Sequence, residues 1–262
     1  MLRNPLNDEK KLNKRREEIE YFKENEEVRF KIMWIFFELG RDKKNSLLDM
    51  INEKLIESNK FKYYFYTITG KILPLILILT AIFVSVSAML GLMAVTFVNI
   101  YINSKERDRI KANGLMYLRR VIKASKQIVK INDKNLDDFN IKIRENLKDL
   151  KSIDRNTIMI SFINMWGGVF EFISVLFLLE ETAYYKIADS IEKNKDSILS
   201  LYKTLGEMEA IISIGSYEEE KKDNITRPKF IRETTLEIKN GIHPIIENPV
   251  ANSINMSKRG IV

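Results

Sequence analysis

The sequence predicts a mainly α-helical protein: an elongated helical bundle with an apolar helical hairpin and a short, incomplete β-containing segment at its C-terminal end. Three observations predict this fold class. Residues 72–102 form an apolar run without a charged side chain. Apolar residues recur at helical spacing through most of the remaining chain. Beyond Asn224 the pattern changes to short extended pieces that contain Pro228, Pro244 and Pro249.

The composition limits the classes of site that the chain can build. Its 262 residues are 45% hydrophobic and 30% charged, which is ordinary for a globular protein with a small membrane insertion. Because it has no cysteine and one histidine, it has no disulfide framework, thiolate metal site or histidine-based metal site. The net charge of +7 suits nucleic acid or anionic lipid, but the 43 basic residues are interleaved with 36 acidic ones. Charge alone therefore selects no partner.

The apolar run Ile72–Ile102 has the composition of a membrane segment. A membrane helix needs about 20 apolar residues to cross about 30 Å of hydrocarbon, so this run is too long for one upright crossing and too short for two full ones. Aromatic residues that would suit an interfacial belt lie near both ends, at Tyr63, Tyr64, Tyr66 and Tyr101. The run therefore favours a membrane over an aqueous environment.

Both ends of the apolar run carry basic residues. They are Lys60, Lys62 and Lys71 before the run, and Lys105, Arg107, Arg109 and Lys111 after it. Positive flanks favour the cytoplasmic face, and two cytoplasmic flanks require an even number of crossings. We therefore expect a tight hairpin with its bend among the small residues Ser85, Ser87, Ala88 and Gly91. The alternative is a long helix buried in a soluble core or in an oligomer interface.

Three helices are predicted before the hairpin. The first spans Pro5–Asn25, with Asn7 as its N-cap. The second spans Val28–Leu39, and because its apolar residues cover most of its circumference we expect it to be central in its layer. The third, Ser46–Asn59, is amphipathic and leads into the hairpin.

Further helices are predicted after the hairpin. Ser104–Ile131 is a long helix whose basic face could contact lipid head groups or DNA phosphates, or could be solvated. The amphipathic segment Leu136–Leu150 follows. Ile158–Leu179 is strongly apolar, but Glu171 and a Gly–Gly pair interrupt it, so it is predicted to be a kinked core helix rather than a second membrane segment.

The last helical segment has heptad spacing. Its apolar seam consists of Tyr184, Ile187, Ile191, Asn194, Ile198, Leu201 and Leu205. This spacing predicts a long helix packed as in a coiled coil, with the Ser104–Ile131 helix as a candidate partner. A plain amphipathic helix is the alternative. In the C-terminal segment, Thr235–Ile238 alternates like a strand and Lys258–Val262 resembles the first half of a buried strand.

A series of short motifs then carries a resemblance to a known family. The motifs are L-G-E-M-E-A at Leu205–Ala210 with Ser213, P-K-F at Pro228–Phe230, H-P-I-I at His243–Ile246 and N-P-V-A-N-S-I at Asn248–Ile254. In order and spacing they resemble the junction between the core and ATPase domains of MutS-type mismatch-repair proteins. The N-terminal pattern is similar to the start of the MutS lever region, through Leu12, Arg15, Ile19, Phe22 and Asn25. An apolar insert in the lever resembles the membrane-associated bacterial branch of the family.

The resemblance implies a domain organisation and a function. It implies N-terminal lever helices at 1–60, a membrane hairpin at 61–103, a long-helix lever and core at 104–222, and the start of an ATPase domain at 223–262. Such a lever and core portion is non-catalytic, and in a complete parent it couples ATP binding and hydrolysis to DNA or partner engagement. The expected partners are a membrane, a second copy joined through the ATPase domain, and DNA. The expected location is the bacterial inner membrane, with the soluble parts in the cytoplasm.

The resemblance also sets expectations for nucleotide chemistry. The P-loop motif G-x-x-x-x-G-K-[ST] does not occur in the sequence and is expected to follow Val262 in a complete parent. ATP and magnesium are therefore expected for that parent and not for this chain. Val250 and Asn252 match family positions that lie against the adenine base, with strand packing as the alternative. Two other functions stay open: a structural module that anchors or dimerises at a membrane without a DNA role, and a soluble nucleic-acid clamp.

Overall fold

The structure is a computed structural model that describes residues 8–42, 46–52, 58–112, 114–157, 168–221, 225–226, 228–229, 231–233, 235–243 and 246–257. The chain divides into a helical unit, Met1–Glu219, and a β-containing unit, Glu220–Val262. The described residues are mostly helical and contain one short two-stranded sheet, which confirms the predicted fold class.

The helical unit is built from consecutive short and long helices. They are α1 (Glu9–Glu24), α2 (Glu26–Leu39), α3 (Ser46–Asn52), α4 (Lys60–Thr67), a π-helical turn (Ile68–Ile72), α5 (Leu73–Phe83), α6 (Ala88–Ala112), α7 (Leu115–Val129), a 3-10 turn (Lys134–Leu136), α8 (Asp137–Asp149), α9 (151–157), α10 (Val169–Leu176), α11 (Leu179–Lys193) and α12 (Lys195–Glu220). The π-helical turn joins α4 to α5 without an interruption, so these elements form one long helix.

The core of the helical unit lies around α7. Its residues Leu118, Val121 and Ile122 are completely buried, together with Ile143 of α8 and Leu201 of α12. The helix is strongly amphipathic, since its basic residues lie on the opposite, exposed face. Burial of this apolar face is the main force that assembles the helices around α7.

Two predicted features near the N-terminus are wrong. The N-cap of α1 is Asp8, not Asn7, because the Asp8 carboxylate accepts a hydrogen bond of 3.1 Å from the backbone N–H of Lys11. The third predicted helix does not reach Asn59, which has an extended backbone and caps α4 by accepting from the N–H of Lys62 at 3.0 Å.

Helix α2 is not central in its layer. It buries Ile32, Ile35 and Leu39, while the aromatic face with Phe30, Trp34 and Phe37 is exposed. The sequence prediction is wrong here because the spacing of apolar residues along a helix does not show whether a second element of the fold covers the opposite face. The predicted stop at Gly40 is confirmed, and this residue has a φ of +68° that glycine adopts without strain.

The predicted long helix Ser104–Ile131 is broken. Helix α6 ends at Ala112 and α7 begins at Leu115, with Gly114 between them. A Cβ atom on Gly114 would lie 2.6 Å from the backbone carbonyl of Ser46, so α3 approaches the chain closely at this point. Gly114 thus lies both at the helix break and at a close contact between residues far apart in sequence.

The apolar segment before α11 differs from the predicted kinked core helix. Of the residues in Ile158–Leu179, 158–167 lie outside the described residues, and Gly168 has a φ of +58°. Helix α10 exposes Phe170, Phe172 and Ile173 instead of burying them. Its predicted place in a buried core is therefore wrong.

The heptad seam is buried, but it does not form one continuous helix. Every apolar member, from Tyr184 to Leu205, is buried. Asn194 ends α11 and donates from its side chain to the backbone oxygen of Ser190 at 2.8 Å. Helix α11 lies against α4 and α6, and α12 reaches α7 through an edge-to-face contact between Tyr202 and Tyr117. The polar residue at the seam thus marks a helix break.

The β-containing unit has two antiparallel strands, β1 (Thr235–Gly241) and β2 (Asn252–Ser257). Thr235 pairs with Ser257 and Ile238 with Ile254, and an irregularity between Ile238 and Gly241 accommodates the positive φ of Asn240. The predicted strand at Thr235–Ile238 is confirmed. The strand predicted at Lys258–Val262 lies outside the described residues.

Candidate membrane hairpin and the polar cluster at its foot

The apolar run folds into a helical hairpin. Helix α5 ends at Phe83, and the backbone N–H groups of Val84 and Ser85 both donate to the carbonyl oxygen of Thr80 at 2.9 Å. The hydroxyl groups of Ser85 and Ser87 lie 2.8 Å apart, and α6 begins at the next residue. The bend therefore falls at 84–87, at the predicted serines.

The two arms of the hairpin pack closely near the bend. A Cβ atom on Gly91 would lie 3.1 Å from a terminal methyl carbon of Leu77, so the absence of a side chain lets α5 and α6 approach. Ala88 and Gly91, which were expected in the bend, lie in the first turns of α6.

The hairpin exposes most of its apolar surface. Val84 at the tip is 79% exposed and Leu90 is 72% exposed. The other large apolar side chains exposed on the arms and tip are Leu75, Ile76, Leu79, Ile82, Phe83, Val86, Met89, Met93, Phe97, Val98 and Ile100. Contiguous apolar surface of this extent marks a membrane or partner contact in a folded protein.

Among the described residues, one helix, Lys60–Phe83, is long and apolar enough to cross a membrane. Its 24 residues combine α4, the π-helical turn and α5. Only 17% of the most apolar 18-residue stretch of this helix is buried, whereas the core helix of a soluble protein would be mostly buried. Most of this helix's apolar surface is therefore exposed among the described residues.

The exposed surface extends from the hairpin towards its foot. Phe61 and Phe65 stack on each other on the outer face of α4, with ring centroids 6.2 Å apart. The ammonium group of Lys105 lies 4.8 Å from the ring centre of Tyr101. Aromatic rings and lysines that flank an apolar segment are also typical of segments that meet the interface between hydrocarbon and water.

The foot of the hairpin holds a buried polar cluster, here called the foot cluster, that consists of Lys62, Tyr66, Glu106 and Tyr185. The Glu106 carboxylate accepts hydrogen bonds from Lys62 at 2.8 Å, from Tyr66 at 2.9 Å and from Tyr185 at 2.9 Å. Burial opposes the charged form of Glu106, but these three hydrogen bonds outweigh it and lower its pKa. The cluster thus joins α4, α6 and α11 through one carboxylate.

A second carboxylate lies nearby on α11. Glu181 is completely buried, and its Oε1 atom accepts a hydrogen bond from the side chain of Asn103 at 2.7 Å. Its Oε2 atom has no hydrogen-bond partner among the described residues. Burial raises the pKa of Glu181 to about 7, and the charges of Glu180 and Glu106 act in the same direction. This site therefore favours the neutral form of the carboxyl group.

The π-helical turn provides the third connection at the foot. The side-chain amide of Asn99 donates to the backbone oxygen of Thr69 at 3.2 Å and to that of Leu176 at 2.7 Å. A π-helical turn shifts the backbone hydrogen-bond pattern, so a carbonyl such as that of Thr69 can accept from outside its own helix. Asn99 thereby ties both hairpin arms to the end of α10.

Gly70 lies in the same turn and allows a close backbone contact. A Cβ atom there would lie 2.6 Å from the carbonyl oxygen of Phe177 and 2.6 Å from the Cβ atom of Leu178. Leu178 is fully buried and has a φ of +44°. The hairpin foot is thus fitted against the junction between α10 and α11.

The two residues predicted to lie against adenine, Val250 and Asn252, are together at the start of β2. The side chain of Asn252 donates to the backbone oxygen of Val250 at 3.1 Å, and both residues are exposed.

Within the described part of the chain, no group of three or more histidine, aspartate or glutamate residues could hold a metal ion.

The basic face of α7 is exposed and only partly paired. Arg120, Lys123 and Lys130 are exposed, and Lys126 forms an ion pair with Asp154 of α9. The face is available to solvent and to anionic partners alike, so it does not separate the DNA and lipid alternatives.

No protein-family model, curated protein or solved structure matches the chain.

The polar face of α6 is not among the features predicted from the sequence. Asn99, Asn103 and Glu106 are spaced by four and three residues, which places them on one side of a helix. Polar residues at this spacing, at the end of an apolar run, are the signal that could have predicted a polar contact at the foot. Their partners, Tyr66 and Tyr185, could not be identified because they lie 40 and 79 residues from Glu106.

Proposed function

We propose that the chain is a membrane-anchored, non-catalytic module whose hairpin inserts into a bilayer and whose helical unit stays in the cytoplasm. The observation that carries this proposal is the exposed apolar surface of a hairpin whose foot is fixed by buried polar contacts. An apolar surface of this kind is unfavourable in water and favourable in lipid. For a bacterial protein, as the sequence resemblance suggests, the membrane is the inner membrane.

The dimensions of the hairpin favour entry and return on one side. The uncharged part of the first arm is α5, whose 11 residues correspond to about 16 Å at about 1.5 Å per residue; the rest of the long helix Lys60–Phe83 carries Lys60, Lys62 and Lys71 and is not counted. The apolar part of α6, Ala88–Ile102, is about 22 Å long by the same rise. Because both lengths are below the roughly 30 Å of a hydrocarbon core, each arm reaches partway across the bilayer. Backbone groups at the bend are then satisfied within the hairpin, as the bonds to Thr80 illustrate.

The foot of the hairpin is suited to transmit force. Glu106, Asn103 and Asn99 on one face of α6 all bond to other elements, two of them to α11. Helix α12 follows α11 after a single residue and leads to the β-containing unit. Each of these hydrogen bonds joins the hairpin to another element and resists its separation, although the Asn99 Oδ1 and Glu181 Oε2 atoms have no partner among the described residues. A displacement of the hairpin would therefore move α11 with it.

A second, more specific proposal adds the MutS-type role to this anchor. In it, the chain is the lever and core portion that precedes an ATPase domain in a complete parent, and it couples ATP binding and hydrolysis to a second copy and to DNA. It is supported by the sequence motifs alone. Val250 and Asn252 would then lie at the adenine side of the parent's nucleotide site.

Cysteine labelling tests the anchor. Because the chain has no cysteine, single cysteines can replace Lys60 and Lys105, which are exposed residues on the two sides of the hairpin. We expect an impermeant thiol reagent to label neither position from outside intact cells and both in inverted membrane vesicles. Labelling of one position from outside would show a single crossing and would refute the hairpin orientation.

The coding sequence tests the MutS-type role. We expect the reading frame downstream of codon 262 in the parent gene to encode a Gly-rich loop with Gly-Lys-Ser or Gly-Lys-Thr. We also expect the purified 262-residue chain to hydrolyse no ATP, because the amides that cradle phosphates belong to that loop. A downstream sequence without such a loop, or turnover above that of a mock preparation, would contradict this role and leave the anchor intact.

A further inference from the structure

Helix α2 carries a second exposed apolar surface, which is separate from the hairpin. Its members are spaced by three and four residues, so they lie on one side of the helix, and they are between 41% and 76% exposed. We call this surface the aromatic face; it consists of Phe30, Met33, Trp34 and Phe37. Because the buried residues of α2 lie on its other side, the helical unit covers only one of the two apolar sides of this helix.

The rings of the aromatic face are fixed by local contacts. The indole N–H of Trp34 donates to the Glu38 carboxylate at 3.2 Å, and its ring centre lies 5.5 Å from that of Phe37. The start of the helix is tied to α1, because the guanidinium group of Arg29 donates to the backbone oxygen of Phe22 at 2.8 Å. Large side chains that are already ordered lose little entropy on binding, so this surface is suited to contact with another protein.

The aromatic face is symmetric about its middle, which lies between Met33 and Trp34. Phe30 lies three residues before Met33, and Phe37 lies three residues after Trp34. If two copies of α2 pack antiparallel around a two-fold axis at this point, Phe30 of each copy meets Phe37 of the other. The same axis places the two Trp34 rings beside each other and the two Met33 side chains beside each other. Every apolar side chain of the face then has an apolar partner.

The charges beside the aromatic face fit the same arrangement. Glu27, Lys31 and Glu38 lie along the edge of the face that is next to Trp34. A two-fold antiparallel pair brings this edge against the same edge of the second copy, where Lys31 lies within two residues, or about 3 Å along the helix, of Glu38. The exposed ammonium group of Lys31 can then contact its own Glu27 and the Glu38 of the second copy. Anionic lipid head groups would instead repel both carboxylates.

The area of the aromatic face is large enough for a dimer of moderate affinity. An aromatic side chain buries about 150–250 Å², so the exposed parts of Phe30, Trp34 and Phe37 correspond to about 400 Å² per copy. A pair buries about 800 Å² before Met33 and the flanking charged residues are counted. A specific interface needs about 1,000 Å² in total. The complete surface therefore reaches the lower end of the range for specific interfaces.

We propose that two copies of this chain pair antiparallel through the aromatic face of α2, with the two-fold axis between Met33 and Trp34. A second copy is the partner because the rings and the charges of the face complement themselves about this axis. The contact goes beyond the proposed anchor and does not depend on membrane insertion. It is also separate from the contact between copies that is expected through the ATPase domain of a complete parent.

Disulfide cross-linking tests the pairing and its direction. Because the chain has no cysteine, two single-cysteine variants of the full chain, one with a mass tag, can be co-expressed and the cells treated with a mild thiol oxidant. We expect Phe30→Cys and Phe37→Cys chains to cross-link to each other at least about tenfold faster than Phe30→Cys chains cross-link among themselves, since two Phe30 positions lie about 10 Å apart along the helices. Trp34→Cys should cross-link to itself, and Ile141→Cys, on an exposed site of α8, should not.

The affinity of the pair is measured by sedimentation of the purified full chain over the micromolar range. Trp34→Glu with Phe37→Glu should raise the dissociation constant at least about 30-fold, because buried aromatic residues at the centre of an interface carry most of its affinity. Ile141→Glu is the matched control and should leave the dissociation constant unchanged. Circular dichroism should show the same helical content in both variants, because all three replaced side chains are exposed.

Several results would overturn the inference. They are a wild type that stays monomeric over this range, equal dissociation constants for the double variant and the control, and cross-linking of Phe30→Cys to itself as fast as to Phe37→Cys, which would contradict an antiparallel pair. Loss of vesicle flotation by the double variant without a change in self-association would show that the face contacts lipid and would also overturn it. A wild type that pairs as expected but does not float would refute the membrane anchor alone.

Discussion

A single lysine on the hairpin should separate a lipid environment from an aqueous one. Leu90 is 72% exposed in α6, about one turn from the bend. In water, the change Leu90→Lys is a surface substitution, and such changes alter stability by less than about 0.5 kcal/mol. Within a bilayer, a lysine at the helix centre costs about 2.5–3.5 kcal/mol on insertion scales. The same substitution therefore has two very different expected effects.

The lipid environment predicts a loss of about 100-fold in partitioning for Leu90→Lys, from the lower part of that range. The measurement is the fraction of protein that floats with phosphatidylcholine vesicles after detergent removal, over a series of lipid concentrations. Circular dichroism in detergent should show an unchanged helical content, because the Leu90 side chain makes few contacts within the protein.

Two controls make this result specific. Ile141→Lys changes a 52% exposed apolar residue on α8, outside the hairpin, and should leave flotation unchanged. Leu118→Lys places a charge at a fully buried core position of α7 and should unfold the helical unit. If Leu90→Lys floats as well as Ile141→Lys, the hairpin tip is in water and the membrane proposal is wrong. If Leu90→Lys unfolds like Leu118→Lys, the hairpin is a protein core.

The contacts at the hairpin foot lead to three further predictions. Gly70→Ala should lower stability by about 1–3 kcal/mol, measured by thermal unfolding in detergent, because the new Cβ atom would overlap the backbone carbonyl of Phe177. Gly206→Ala is the control, because nothing lies within 4 Å of the position of its Cβ atom. Glu106→Ala should lower the free energy of unfolding by about 3 kcal/mol, because it leaves Lys62 and the hydroxyls of Tyr66 and Tyr185 without their acceptor. Glu171→Ala, which removes an exposed carboxylate, is the control and should lower it by less than about 1 kcal/mol. Because burial raises the pKa of Glu181 to about 7, the folded state keeps a proton that the unfolded state releases above about pH 4.5. The free energy of unfolding of the wild type should therefore fall by about 3 kcal/mol as the pH rises from about 4.5 to about 7. Glu181→Gln should lose this pH dependence, and an unchanged pH profile in that variant would contradict the assignment.

Local patterns predicted the helices whose boundaries depend on local chemistry. The amphipathic segment Leu136–Leu150 matches α8 closely, and the serines at the predicted bend form the turn at 84–87. Turn-forming residues and apolar periodicity act over a few residues, so a sequence contains the necessary information. The strand at Thr235–Ile238 follows the same rule.

Features that depend on distant contacts could not be predicted in this way. The close contact of Gly114 with Ser46 joins residues far apart in sequence, and the exposure of Trp34 follows from the absence of a described neighbour on that face. The sequence on either side of Gly114 or of Trp34 does not show which distant element, if any, packs against that residue. The foot cluster shows the same limit, because the spacing of the polar residues on α6 is visible while Tyr185 on α11 is one of many possible partners. The nucleotide contacts of Val250 and Asn252 stay a prediction.

The depth of the hairpin tip tests the central claim most directly. Val86 is 71% exposed in the bend, and a cysteine there would be the only one in the chain. A polarity-sensitive fluorophore on Val86→Cys, in protein reconstituted into phosphatidylcholine vesicles, should emit as in an apolar medium and be quenched by nitroxide groups on lipid acyl chains. The same fluorophore on Lys123→Cys, an exposed position of α7, should respond to aqueous iodide instead. Quenching of the Val86 position by iodide to the same extent as the Lys123 position, without quenching from the acyl chains, would contradict insertion of the hairpin.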